Sequence, residues 1–358
     1  MVEGRRSRVG TRFLLTSASA VVIVAGLKLA QSLVIPFLLA LFLAIICAPV
    51  VAWLKRHRVP TGLAVLAVVV VLLAIFVGFG AVIGSSVNEF ATFVAQYQER
   101  FNGLEKSLVA WLAAHDVDAQ SLDMLELVKP GRMMNFFGSA LKGLAAVLSN
   151  LFLIILTMIF MLLEAATIPI KIRAAVGSTH LNVDWLASVV TQVQRYLAVK
   201  TGTSLTTGLL IGVWTQVVGL EFAVVFGLAA FLLNYIPNIG SIVAAVPAVV
   251  LALVQGGFGY AVLVAVGYVV VNVTIGNFVE PVLLGRTLGL STLIVFLSLA
   301  FWGWLWGSVG MLLSVPLTMI IKIFLQNNDD LRWVAIMLDS GRGVARRLEA
   351  AEETAAES

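Results

Sequence analysis

Long apolar stretches dominate this chain, and short polar or charged segments separate them. A helix rises about 1.5 Å per residue, so about 20 residues cross a hydrocarbon core of about 30 Å. Apolar runs of this length predict six full membrane spans, at 13–31, 33–54, 62–84, 144–163, 202–220 and 258–278. The pattern therefore predicts an all-α, polytopic membrane protein.

Two further apolar regions, 222–254 and 290–325, are too long for one crossing and contain helix breakers near their middle, "PNIGS" and "GWLWGSVG". The arms of 222–254 would be about 22 and 20 Å long at the standard helical rise, which is too short to cross the core alone. Each region is therefore either a re-entrant hairpin or a single tilted, broken span. A third alternative is that the breakers form ordinary loops at the edge of the bilayer.

The two regions share a design. Each follows a full span, and Pro237, Gly240 and Pro247 in the first region correspond to Gly307, Gly310 and Pro316 in the second. If both are hairpins, the first enters the membrane from outside and the second from inside, which is an inverted repeat.

The breakers also indicate chemistry. Proline removes a backbone donor and glycine allows unusual dihedral angles, so backbone groups at the turns need polar partners that hydrocarbon does not supply. Paired turns at membrane depth are therefore a candidate substrate site. The candidate residues are those of the turns and the polar residues in or beside the apolar runs: Asn234, Pro237, Asn238, Gly240, Asn272, Asn277, Glu280, Gly307 and Gly310.

Among these residues, Glu280 is ionisable. An ionisable group in a membrane segment is a functional hypothesis by default, so Glu280 is expected either to carry a proton or to contact substrate. The alternative is that it pairs with Arg286 or caps a helix at the inner boundary.

Composition supports a membrane protein, because 60% of the 358 residues are hydrophobic and the mean hydropathy is +1.03. The net charge of +4 does not indicate nucleic-acid binding, since basic residues flank the apolar runs instead of forming one patch. Lys55, Arg56 and Arg58 predict a cytoplasmic side by the positive-inside rule, with both termini in the cytoplasm. The single cysteine, Cys47, is expected to serve packing.

These patterns divide the chain into five parts. Residues 1–84 hold three predicted membrane helices, and 85–143 form an extracytoplasmic amphipathic helical segment, which either lies on the bilayer or packs against another copy. Residues 144–200 contain the fourth span and a cytoplasmic linker, 201–325 a transport domain, and 326–358 a charged tail that we expect to be disordered. The sequence lacks the metalloprotease, serine-hydrolase and P-loop motifs, so we expect no enzyme and no cofactor.

Four segments resemble one known family. The stretches "QRYLAVKTGTSLTTGLLIG", "NYIPNIGSIVAAVPAVVLAL", "NFVEPVLLGRTLGLSTL" and "WGWLWGSVGMLLSVPL" are similar to those of the autoinducer-2 exporter family of bacterial membrane proteins. The resemblance implies a multi-pass protein of the inner membrane that forms homo-oligomers and exports autoinducer-2 or another small solute. Some relatives are described as sodium or lithium/proton antiporters. The segment 303–310 is richer in tryptophan than the family pattern.

The leading hypothesis is a secondary transporter whose hairpin domain moves against a scaffold of the first spans. A channel with fixed hairpin tips and a scaffold protein that only binds partners are the alternatives.

Overall fold

The structure is a computed structural model that describes residues 18–19, 21–82, 84–85, 103, 150–165, 167, 171, 174, 184–237, 239–284, 289–328, 331–339 and 341. Within these ranges the fold is all-α, as predicted, and its β-structure is limited to an isolated bridge between Leu290 and Asp339. The predicted segment 85–143 lies outside the described residues, apart from Ser85 and Gly103.

After a helical stretch at 21–29, the helices are α1 (Gln31–Arg56), α2 (Thr61–Val82), α3 (Leu151–Glu164), α4 (Asp184–Val217), α5 (Ala223–Leu233), α6 (Ile239–Val273), a π-helix (Thr274–Val279), α7 (Glu280–Leu284), α8 (Thr292–Gln326) and α9 (Arg332–Met337). Four helical stretches are long and apolar enough to cross a membrane, namely α1, α2, Ile239–Leu284 and α8, and α3 and α5 are shorter apolar helices. The predicted count of six full spans is not confirmed.

Helix α1 matches the second predicted span and contains Cys47, which is buried and free. Its 26 residues extend about 39 Å at the standard rise, and Lys55 and Arg56 occupy its last turn. A turn at Ala30 separates the helical stretches 21–29 and 31–56, two residues before the predicted junction of the first two spans at Ser32.

The chain divides into two compact units. One comprises Met1–Ile45, Leu153–Val189 and Gly289–Ser358, and the other comprises Ile46–Phe152 and Val190–Leu288. The boundary after Leu288 falls inside the predicted transport domain 201–325. The division of the chain into the five predicted parts stays a prediction.

In the second unit, α5 and the first part of α6 form a helical hairpin, here called the first hairpin. The chain turns at 234–237 and returns, so that the Glu221 backbone N–H donates to the Gln255 side chain at 3.4 Å although 34 residues separate them. The two arms share an apolar core with α4 that includes Ile211, Phe226 and Leu251. Gly257, with φ +78°, ends the returning arm. Helix α5 ends at Leu233 and α6 begins at Ile239, so the helical run is interrupted around Pro237. Whether 222–254 is re-entrant or a broken span stays a prediction.

Helix α4 packs against α5 through glycines. A Cβ on Gly208 would lie 2.7 Å from the Gly227 carbonyl oxygen, and a Cβ on Gly227 would lie 3.0 Å from the Gly212 Cα. Such contacts bring the two backbones together in the way that small residues permit in membrane helices.

In the first unit, α8 is itself a hairpin, here called the second hairpin. Its helical geometry fails at Trp306 and at Gly307, where φ is +64°. The indole N–H of Trp302 donates to the Thr318 hydroxyl at 3.0 Å, whereas 16 residues of straight helix would separate them by about 24 Å. The chain therefore folds back at Gly307, as the glycines of 303–310 predict.

The base of the second hairpin carries a contact that sequence analysis did not anticipate. Lys322 is buried, pairs with Asp339 at 3.1 Å and donates to the Gly289 carbonyl. The Ser291 backbone N–H also donates to the Leu338 carbonyl at 3.2 Å. Within the expected disordered tail 326–358, the structure describes α9 and the buried Asp339. Residues 329–330, 340 and 342–358 lie outside the described part, and disorder of the tail stays a prediction.

Candidate functional site

Polar side chains line one face of α4 in the second unit. Lys200, Thr203, Ser204 and Thr207 follow the spacing i, i+3, i+4 and i+7, which places them on the same side of a helix. All four are buried, with at most 4% of their surface exposed. A buried polar face on a helix of an apolar bundle needs partners from neighbouring elements.

Glu280 supplies the partner of Lys200. The Lys200 Nζ lies 2.8 Å from one carboxylate oxygen of Glu280 and 2.9 Å from the other. The exposed fraction is 5% for the Lys200 side chain and 17% for that of Glu280. Two opposite charges therefore compensate each other inside the unit, and the ammonium contacts both carboxylate oxygens.

The backbone before Glu280 is unusual. The π-helix Thr274–Val279 ends at Glu280, whose N–H donates to the Ile275 carbonyl five residues earlier. One extra residue per turn shifts the direction of the side chains that follow, and π-helical turns occur frequently at functional sites. The π-helix thus sets the direction in which Glu280 leaves the helix.

The tip of the first hairpin reaches the same polar face. The Asn234 amide donates to the Ser204 hydroxyl at 3.0 Å, and the Tyr235 hydroxyl donates to that of Thr201 at 2.8 Å. Thr201 directly follows Lys200, so these bonds place the tip beside the ion pair. We refer to Lys200, Glu280, Thr201, Ser204, Asn234 and Tyr235 as the polar cluster.

The position of the tip along α4 gives its depth in the unit. Thr201 precedes Val217, the last residue of α4, by 16 residues, or about 24 Å of helix. The tip therefore contacts the middle of α4, where Lys200 lies.

Tight packing explains the glycine at the tip. A Cβ on Gly240 would overlap the Leu233 carbonyl oxygen, and in the second hairpin a Cβ on Gly310 would overlap that of Trp302. Both glycines are buried. Gly240 and Gly310 thus allow the returning arm of each hairpin to pass close to the first arm. The two glycines occupy corresponding positions in the sequences of the two regions.

Some hydroxyl and indole groups of this unit have no hydrogen-bond partner within the described part of the chain. They are Thr207 Oγ1, Trp214 Nε1 and Tyr268 Oη, all buried. Thr207 lies one turn beyond Ser204, so the polar face of α4 continues past the cluster.

The structure brings together only some of the predicted site residues. Asn234 and Glu280 belong to the polar cluster, and Pro237 and Gly240 lie in the adjoining turn. Asn272 is half-buried and Asn277 is exposed, and no bond of either to the cluster is seen in the described residues. Gly307 and Gly310 belong to the other compact unit, and Asn238 and Arg286 lie outside the described residues.

Sequence analysis missed Lys200 as a site residue. It assigned Lys200 to a cytoplasmic linker, whereas the structure places it within α4. The signal that could have found it is the polar spacing in "KTGTSLTT", which directly precedes the apolar run that begins at Gly208. Within the described ranges, no group of three or more His, Cys, Asp or Glu side chains could hold a metal ion.

Comparison with known proteins agrees with this architecture. Residues 18–329 match the model of the AI-2E family transporters. The chain belongs to the AI-2E family. It is 40% identical to a protein of Haemophilus influenzae named "Putative transport protein", over 91% of this chain and 96% of that protein.

Two Escherichia coli relatives are similarly close. The chain is 38% identical to "AI-2 transport protein TqsA", over 92% of this chain and 96% of that protein, and 36% identical to "Putative transport protein YhhT", over 95% and 97%. This member of the AI-2E family is therefore a multi-pass bacterial membrane transporter.

Proposed function

We propose that the protein is a secondary transporter that binds its solute or coupling ion at the polar cluster. The observation that carries this proposal is the bidentate Lys200–Glu280 pair beside the tip of the first hairpin. The cargo is a small solute such as autoinducer-2, which the name of TqsA supports, or an ion that is exchanged.

The energetics of the pair favour a functional role. Removing two charges from water costs several kcal/mol per ion, and well-packed apolar residues often replace a buried ion pair without loss of stability. Charged residues in membrane segments characteristically mark substrate and ion paths. A solute or cation that enters the cluster would compete with one charge for the other, and the Thr201, Ser204 and Tyr235 hydroxyls would supply hydrogen bonds to it.

Transport by movement of a hairpin domain against a scaffold is part of the same proposal. The glycine contacts between α4 and α5 and the two hydrogen bonds at the tip support a first hairpin that moves together with α4. The first hairpin would be re-entrant, because its arms begin and end at the same end of α4.

The proposal includes the location of the protein and the orientation of its termini. We place the protein in the inner membrane with both termini in the cytoplasm, since Lys55 and Arg56 end α1 on the side that the positive-inside rule assigns to the cytoplasm. We also propose that the protein forms a homo-oligomer, as the family resemblance implies.

Flux through proteoliposomes distinguishes the candidates. The full chain is reconstituted, and uptake of autoinducer-2, Na⁺ and Li⁺ is measured against concentration, with and without a proton gradient. A secondary transporter gives flux that saturates and responds to the gradient of a coupled ion. An antiporter, the second candidate, exchanges Na⁺ or Li⁺ for protons without moving autoinducer-2. Flux that never saturates and ignores every ion gradient would indicate a channel.

A further inference from the structure

A cationic and aromatic surface lies at the tip of the second hairpin, away from the polar cluster. The Lys28 ammonium lies 4.0 Å from the centre of the Trp304 ring, which is cation–π distance. Trp304 is 60% exposed and Lys28 is also exposed. Within the described residues, the ammonium has no carboxylate partner.

The tip holds this pair in place. The Trp306 indole N–H donates to the Leu27 carbonyl at 3.2 Å, which fixes the backbone next to Lys28. Trp306 also packs on Trp302, with ring centres 5.0 Å apart, and Trp302 is bonded to Thr318 of the returning arm. The geometry of Lys28 over Trp304 is therefore built by the fold of the hairpin.

The length of α1 places the pair at a membrane boundary. Helix α1 extends about 39 Å, close to the 40–45 Å thickness of a bilayer with its headgroups, and Lys55 and Arg56 mark one end. Lys28 lies three residues before the other end, and three residues span at most about 11 Å. Lys28 and Trp304 thus lie within reach of the headgroups of the leaflet opposite to Lys55.

The chemistry of the surface indicates its ligand. Lys28 is the only charged residue between Arg12 and Lys55, so a single positive charge stands among apolar side chains. Leu29 and Leu33 are exposed near it, and Phe301 is exposed next to the Trp304 ring, at 6.4 Å between ring centres. An exposed ammonium is a donor to an anion, the tryptophan ring suits the membrane interface, and the apolar neighbours suit an acyl chain.

We propose that Lys28 and Trp304 bind the headgroup phosphate of one anionic phospholipid, whose acyl chain lies along Leu29, Leu33 and Phe301. The lipid would hold the tip of the second hairpin at the membrane boundary. This inference does not rest on the polar cluster, which belongs to the other compact unit.

Native mass spectrometry tests the proposal on the full chain. The protein is released from micelles containing equal amounts of phosphatidylglycerol and phosphatidylcholine, and the ratio of the two bound lipids is measured. The wild type should retain phosphatidylglycerol preferentially. One lysine near a membrane surface contributes a preference of about five-fold, so Lys28→Met should lower the ratio by about five-fold.

Matched variants separate the site from general charge effects. Trp304→Leu should lower the ratio as Lys28→Met does, and Lys28→Arg should retain it. Lys171→Met removes the same charge from a lysine already paired with Glu164 and should leave the ratio unchanged. An unchanged ratio in Lys28→Met would overturn the proposal. A changed subunit number with an unchanged lipid ratio would overturn it as well, because the surface would then be a contact between copies.

Discussion

The Lys200 ammonium binds both carboxylate oxygens of Glu280, at 2.8 and 2.9 Å, across 80 residues of sequence. This pair joins the middle of α4 to the residue that directly follows the π-helix. Because both side chains are largely buried, removal of one charge leaves the other without a counter-charge.

The first prediction concerns the stability of this pair. Glu280→Gln or Lys200→Met alone should lower the free energy of unfolding by about 3 kcal/mol or more, because an unpaired charge remains in the unit. The double variant Lys200→Met/Glu280→Leu should recover most of that loss. Thermal unfolding of the purified protein in detergent measures both effects. If the stability loss of the double variant equals the sum of the losses of the two single variants, the charges do not interact.

The second prediction concerns the glycines next to the turns. Gly240→Ala and Gly310→Ala should each lower the free energy of unfolding by about 1–3 kcal/mol, because the added Cβ overlaps a carbonyl oxygen of the facing arm. Gly78→Ala is the matched control, since its Cβ would meet nothing within 4 Å. The same thermal assay applies, and a Gly240→Ala protein as stable as the control would disprove the close passage of the arms.

The third prediction concerns the base of the second hairpin. Asp339→Asn removes the carboxylate charge that pairs with the buried Lys322 and should lower the unfolding temperature of the protein clearly. Lys171→Met, which breaks an exposed pair with Glu164, should not change it measurably. If Asp339→Asn and Lys171→Met change the unfolding temperature by the same small amount, the Lys322–Asp339 pair does not stabilise the packing of α9 against the hairpin.

The fourth prediction concerns rigid movement of the first hairpin. Ser204→Cys/Asn234→Cys in a Cys47→Ala background places two thiols where a 3.0 Å hydrogen bond now joins the side chains. Because both positions belong to the polar cluster, the measurement is the cross-linking yield and not flux. The yield with a short bifunctional reagent should be the same in proteoliposomes with and without an ion gradient, because α4 and the hairpin move together. A yield that falls when a gradient is imposed would mean that the tip opens away from α4.

The interruptions of the apolar regions could be predicted from the sequence, because proline and glycine act through the local backbone. The turn before Gly240 and the break at Gly307 lie where the breakers predict them. The partner of Glu280 could not be predicted in the same way. Sequence analysis considered Arg286 because it is near in sequence, whereas the structure pairs Glu280 with Lys200 through the packing of α4, which no local pattern reveals.

The tail shows the same limit. Charged residues after 326 are typical of a solvated end, yet Asp339 is buried because Lys322 requires a counter-charge within the unit. The pairing of Lys322 with Asp339 depends on the folding of the tail against the base of the second hairpin near Gly289, which no local sequence pattern predicts. The tryptophans around the second turn show it too: the structure places Trp302 and Trp306 in the packing of the second hairpin, whereas Trp304 is exposed.

Flux through the double variant Lys200→Met/Glu280→Leu tests the central claim most directly. This protein should remain folded, and its saturable flux of autoinducer-2, Na⁺ or Li⁺ in proteoliposomes should be lost. The control Lys322→Met/Asp339→Leu removes a buried pair from the other unit and should retain flux. If the Lys200/Glu280 double variant carries its cargo at the wild-type rate, the polar cluster is not the transport site.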